Sequence, residues 1–285
     1  MSHSNFKPSS AFWVLICVAL NACSTQKNLD KTAPIAGYKL AWHDEFEGSQ
    51  LDTAKWAFRT DVKHRSVQLR ENVSLKAGIL KLNLWELTKP IQGKLATGAG
   101  IISKKTFKYG YYEVKSRLGD KLDDDKDGKT DEGWHHAFWA MAASIDAKGE
   151  VNTTYPPSRR TEIDCYENAS THDHGAENSI HKFTQHIIIW KADGKEYGRV
   201  PKTPADIIAI PNFNANEWHT YGFEWTEKAV TFYVDGKFTH VAEYPATQFE
   251  HDNLNIWITA MAANWTGKDQ ENSSAEYDYV RFYAK

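Results

Sequence analysis

Residues 230–241 read Val230-Thr231-Phe232-Tyr233-Val234-Asp235-Gly236-Lys237-Phe238-Thr239-His240-Val241. Two β-rich runs flank Asp-Gly, a pair that tolerates the positive φ of a two-residue turn, so the stretch predicts a β-hairpin. The same grammar recurs outward from it. Gly78-Ile79-Leu80-Lys81-Leu82-Asn83-Leu84 alternates, as do Tyr111-Tyr112-Glu113-Val114-Lys115-Ser116 and Leu254-Asn255-Ile256-Trp257-Ile258-Thr259. No window reads as a convincing amphipathic helix, and neither a Pro/Gly/Ser-rich linker nor an internal repeat divides Gly37 to Lys285. Short strands separated by turn residues predict an all-β fold, a sandwich of two antiparallel sheets forming one domain over 37–285. The 285 residues include 11 Trp, 13 Tyr and 13 Phe. Aromatics favour strands, and their flat faces also suit sugar rings. Lys and Arg total 34 against 37 Asp and Glu, for a net charge of -3. There is thus no basic excess of the kind nucleic-acid binding shows, and no nucleic-acid partner is expected.

The first segment reads as an address. Residues 11–20, AFWVLICVAL, are apolar and follow Lys7. The run falls short of the roughly 20 residues that span a bilayer but suits a signal-peptide core. Leu20-Asn21-Ala22-Cys23 resembles the bacterial lipobox. That makes 1–22 a lipoprotein signal peptide, Cys23 the lipid-bearing first residue of the mature chain, and 23–36 a polar tether. The expectation is a membrane partner reached through the lipid, at the outer membrane or cell surface. An ordinary secretory signal with an incidental cysteine is the alternative. Cys17 leaves with the signal, so Cys165 is the one unmodified thiol and no intramolecular disulfide is expected. Its surroundings predict a small core residue.

The chemistry sits in Glu162-Ile163-Asp164-Cys165-Tyr166-Glu167. On a strand Glu162 and Asp164 face one way, and strict alternation would turn Glu167 the other. One extra residue, a β-bulge at Cys165 or Tyr166, returns Glu167 to the acidic face. Three carboxyls on one surface repel, which raises at least one pKa. Two of them about 5–5.5 Å apart suit retaining glycoside hydrolysis, one as nucleophile and one as acid/base. The competing reading is a solvated acidic strand edge.

The chain resembles glycoside hydrolase family 16, whose signature in its bulged form is Glu-x-Asp-x-x-Glu. The resemblance also rests on Leu40-Ala41-Trp42-His43-Asp44-Glu45-Phe46, Gly98-Ala99-Gly100-Ile101-Ile102-Ser103, Tyr109-Gly110-Tyr111-Tyr112-Glu113, Phe138-Trp139, Trp218-His219-Thr220-Tyr221 and Tyr277-Asp278-Tyr279-Val280-Arg281. It implies a β-jelly roll with a concave substrate cleft, acting on internal bonds of a polysaccharide with retention and with no organic cofactor. It further implies Glu162 as nucleophile, Glu167 as acid/base and Asp164 as their assistant. A monomer is expected.

Substrate contacts are expected from Trp134, His135, Trp139, Arg159, His181 and Trp265, each with a plain structural role as its alternative. Asp123, Asp125, Asp127 and Asp131 fit the opening of a calcium loop, Asp-x-Asp-x-Asp-Gly, or else a solvated hairpin tip. The family's structural calcium site best matches Glu45, Gly78 and Asp278. Members that cut β-1,3-glucan often carry Trp-Pro before the Phe-Trp strand and Gly before the first catalytic Glu. Here His135-His136-Ala137 and Arg159-Arg160-Thr161 stand in those places. An arginine fork suits sulfate. The reading therefore leans to an algal galactan or related glycan, sulfated or neutral, with an endo-β-1,3(4)-glucanase as the alternative. A non-catalytic carbohydrate-binding lipoprotein and a transglycosylase are further alternatives.

Overall fold

The computed structural model describes residues 32–118, 134–145, 151–152, 160–169, 182–191, 193, 195–201, 205–244, 251–266 and 272–285. Among them there is no α-helix, only a short 3₁₀ turn at Arg70–Asn72. The 230–241 hairpin forms as the sequence requires. Strand Ala229–Val234 pairs with Lys237–Glu243 through Val234↔Lys237. Asp235 and Gly236 make the turn at φ 50° and 70°.

Two antiparallel layers carry the domain. In one, Ser273–Ala284 pairs along one edge with Lys39–Asp44 and Ile79–Ile91 and along the other with Gly110–Leu118. His219–Trp225 and the hairpin continue that layer. In the other, Trp56–Phe58, Lys94–Ser103, Asn255–Met261, His135–Met141, Arg160–Ala169 and Lys182–Trp190 lie side by side. Alternate residues of both layers meet in one core, where Phe138, Ile163, Ile187 and Ile258 pack with Tyr112, Val114, Phe223 and Phe282. Phe138 and Phe223 come within 6.2 Å, centroid to centroid, and join the layers.

Parity along these strands decides which face each side chain reaches. In His135–Met141, Phe138 and Ala140 enter the core. Ala137, Trp139 and Met141 turn to the opposite face, with Ile102 and Trp257. Gly98 lets the second layer close up: a Cβ there would run into the Ala260 carbonyl oxygen. Residues 31–285 form one compact unit. The expected signal, Cys23, tether residues 23–31 and the acidic run Asp123, Asp125, Asp127 and Asp131 lie outside the described residues, as do Arg159 and His181. The last stretch of the expected tether, 32–36, joins the domain: Thr32 bridges to Lys39, and Ala33 packs with Tyr38 and Tyr283.

Candidate active site

Strand Arg160–Ala169 sits between His135–Met141 and Lys182–Trp190. Its partners on His135–Met141 run Glu162↔Met141, Ile163↔Ala140 and Asp164↔Trp139, then jump to Tyr166↔Phe138 and Glu167↔Ala137. Cys165 is the extra residue, so the bulge required by the motif's spacing is present. Ile163, Cys165 and Tyr166 all enter the core, at 0%, 0% and 1% exposure. Tyr166 is anchored there by a 3.2 Å hydrogen bond between its hydroxyl and that of Ser116. With those three turned inward, Glu162, Asp164 and Glu167 share the other face.

The neighbouring strand supplies their partners. From Lys182–Trp190, the indole N–H of Trp190 donates to Glu162 Oε2 at 2.7 Å. His186 lies directly opposite Asp164 in register. Its Nε2 stands 3.0 Å from Asp164 Oδ2 and 3.2 Å from Glu167 Oε2. From the other side His135 Nε2 reaches Glu167 Oε1 at 3.1 Å. Asp164 and Glu167 are thus bridged by one buried imidazole.

Burial, then the charges of Asp164 and Glu167, push the Glu162 carboxyl well above the usual carboxylate range, against the pull of the Trp190 N–H. Asp164 is raised by burial and by Glu167, against the opposing pull of His186. Burial also acts upward on Glu167, but its side chain keeps 22% exposure, and donation from His135 and His186 wins and holds it well below that range. Burial alone would lower His186, yet Asp164 and Glu167 lift it to about 10. Carboxyls this close share their protons, so the site titrates as a set.

Asp164, Glu167 and His186 each bring an atom of metal-ligating type within 4.8 Å of the others. Asp164 and Glu167 raise the pKa of His186, which favours its cationic form between them. Of the three residues of the expected structural calcium site, the two acidic ones pair their side chains with cations. Both Glu45 oxygens accept from Arg281, at 3.0 Å each, and Asp278 Oδ2 lies 3.0 Å from Lys115 Nζ. Gly78, at φ 75°, makes the turn between Val73–Lys76 and Ile79–Ile91. Fixed cations already offset both carboxylates.

Aromatic walls flank the acids. Trp139 stacks on Trp257 at 4.5 Å, and the Arg59 guanidinium lies 5.7 Å from the Trp257 ring. Trp265, partly exposed, stands edge-on to His135 at 5.5 Å and to His64 at 4.6 Å. Arg65 secures the turn that carries it, donating to the Ala263 carbonyl at 2.7 Å and to Thr266 Oγ1 at 2.8 Å. His135, Trp139 and Trp265 thus gather on the acidic face as the sequence leads one to expect. Trp134 does not. It is 1% exposed and packs in the sandwich core, one residue out of phase with His135. Sequence reading missed Trp190 and His186, although their spacing of four on one strand puts them on one face.

An antiparallel β-sandwich that isolates two glutamates and an aspartate on one sheet face, between indole and imidazole donors, defines a glycoside hydrolase. Residues 40–285 match the family profile described as the glycoside hydrolase family 16 domain of β-porphyranases A–D, and the chain belongs to that family. It is 23% identical to β-porphyranase E of Zobellia galactanivorans over 85% of this chain and 86% of that protein. It is 26% identical to κ-carrageenase of Pseudoalteromonas carrageenovora, over 95% and 70%. Glucan endo-1,3-β-glucosidase A1 of Niallia circulans is 25% identical over 87% of this chain, which spans 38% of that protein's length. Among solved structures, porphyranase B of Zobellia galactanivorans superposes with a TM-score of 0.64 at 20% identity, covering 90% of this chain and 97% of that one.

Proposed function

We propose that the chain is a retaining endo-glycosidase that cuts internal β-glycosidic bonds of an algal galactan of the porphyran kind. Glu162 is the nucleophile, Glu167 the general acid/base, and Asp164 assists. The observation that carries this reading is the bulge at Cys165, which returns Glu167 to the face of Glu162 and Asp164. The carboxylate of Glu162 attacks the anomeric carbon while the departing glycosidic oxygen takes the Glu167 proton. Glu167 then removes a proton from water, which attacks the same carbon and frees Glu162.

In the sugar-free site the directions run the other way: Glu162 holds its proton more readily than Glu167. The double displacement needs the reverse. A sugar hydroxyl that takes over the contact of His135 removes one of the two influences that lower Glu167, so burial raises that carboxyl against His186 alone. Trp190 keeps its donation to Glu162 and favours the ion there. Trp190→Phe removes a donor to a charged group, worth about 1.5–3 kcal/mol. Glu162 then rises further, and the acid limb of the kcat/KM profile should move to higher pH. An unmoved limb would exclude Trp190 from this role.

The galactan assignment draws on the porphyranase profile and on the κ-carrageenase relative. Reducing-end release by the full chain on porphyran, agarose, carrageenans, laminarin and mixed-linkage glucan tests it, with Glu162→Gln as control. Products from laminarin alone would make the chain an endo-β-1,3(4)-glucanase. Tight binding without cleavage would make it a carbohydrate-binding lipoprotein. The lipid anchor belongs to the same proposal: Cys23→Ser should move the protein from the membrane fraction to the soluble fraction, and continued membrane retention would reject it.

A further inference from the structure

Strand Lys182–Trp190 pairs on its far edge with two separate pieces, Glu196–Val200 and Ile207–Ala209. The first reaches Ile187 through Val200 and the second reaches Thr184 through Ile207. His186 lies level with the junction between them. Asp206, the residue just before Ile207, is pinned there because the Gln185 amide donates to its carbonyl at 3.0 Å. Asp206 Oδ2 then stands 3.5 Å from His186 Nδ1, on the side of the ring away from Asp164 and Glu167. Arg199 Nη1 lies 3.6 Å from the same oxygen. Both Asp206 and His186 are fully buried, at 0% exposure.

We propose that Asp206 is a positioning residue: from the neighbouring edge of the sheet it holds His186 doubly protonated, with Nε2 turned to Asp164 and Glu167, while Arg199 steadies Asp206. The inference rests on the functional reading above. A neutral imidazole has one lone pair, and here each ring nitrogen faces a carboxylate oxygen, so a lone pair on either side would meet negative charge. An N–H on each nitrogen turns positive charge to both sides and makes the ring a cation; at these distances the pairing is electrostatic, since neither nitrogen meets hydrogen-bond geometry. The charged groups that face it are Asp164, Glu167 and, farther along, Glu162 on the catalytic strand, then Asp206 and Arg199 behind it. His240 approaches from Lys237–Glu243, and its own pKa is lowered by burial and in part by the His186 charge. Turned this way, one imidazolium links the two carboxylates of the motif to a carboxylate outside it. The raised pKa of His186 agrees with this placement.

The signs of the test oppose one another. Asp206→Asn removes an anion, so His186 should lose its proton at a pH lower by about one unit or more. The alkaline limb of the kcat profile should move down with it, and Asp206→Glu should restore it. His186→Gln removes a cation, so the carboxyls should hold their protons longer and the acid limb should move up. The direct readout is the ¹⁵N-imidazole resonance of His186 in the full chain, identified by its disappearance in His186→Gln. In the unaltered protein both nitrogens should stay protonated past neutral pH. Should Asp206→Asn fail to fold, Arg199→Gln serves instead, because losing that cation should move the His186 titration upward. A His186 that titrates near the usual imidazole value, or one unmoved by these variants, overturns the proposal. Because the resonance needs no substrate, a shifted titration in a chain that cleaves no polysaccharide would uphold the placement of Asp206 and defeat the glycosidase reading alone.

Discussion

Glu162→Gln and Glu167→Gln should each lower kcat by about 10³-fold or more, equivalent to about 4 kcal/mol of barrier. Each amide keeps the shape of the side chain it replaces and removes the one property the reaction uses. At position 162 it cannot attack carbon, and at position 167 it cannot pass a proton to the leaving oxygen. The fold should survive both changes. Burial and two neighbouring carboxylates hold the Glu162 carboxyl above its unfolded pKa. A group raised in this way detracts from stability once pH exceeds its unfolded pKa, so a neutral amide should leave the melting temperature equal or higher at pH 7. Azide separates the two roles. In Glu162→Ala it enters the face the nucleophile vacated and gives an α-glycosyl azide. In Glu167→Ala it attacks the glycosyl-enzyme and gives the β-product. Near-normal turnover in either Gln variant, or the reverse stereochemistry, would break the role assignment.

The second large effect concerns two tryptophans that composition cannot tell apart. Trp134→Ala should cost about 3–5 kcal/mol of unfolding free energy, the range for emptying a large buried aromatic site. Trp134 is 1% exposed and packs among core residues from both layers. Trp265→Ala should leave stability within about 1 kcal/mol, as a partly exposed position allows, and should raise KM. Urea unfolding of both variants beside their Michaelis constants separates the two roles. A Trp134→Ala protein of full stability with weakened substrate binding would place that residue on the cleft after all.

The parity of the strand around Trp134 was legible without coordinates. His135, Ala137 and Trp139 alternate with Trp134, His136 and Phe138, so His135 and Trp139 cannot share a face with Trp134. The bulge was legible too, because three carboxyls spaced two and then three residues apart reach one face only if a residue is extra. Lys182–Trp190 was harder. Its own alternation puts Thr184, His186, Ile188 and Trp190 together, but nothing local says which of them meets Asp164. Register across strands says that, and register depends on how the whole sheet packs. His186 therefore escaped notice in the sequence.

The carboxylates of Glu45 and Asp278 show the same division from the other side. The family resemblance offered them as ligands of a cation, whereas folding brings Arg281 and Lys115 against them. Asp206 carries no motif at all. It acquires meaning only when Ile207–Ala209 pairs beside His186.

What the sequence alone determined are the features that recur at short range: alternating strands, an Asp-Gly turn, an aromatic-rich sandwich, and an acidic strand with one residue too many. These follow from bond geometry and side-chain periodicity, which act over a few residues. What only the tertiary structure decided is which donors face those acids, Trp190, His135 and His186, and which buried carboxylate stands behind the imidazole. Those neighbours come from three separate segments, and burial makes their charges strong. Proton affinity at the site is therefore a property of the folded sheet and not of the motif.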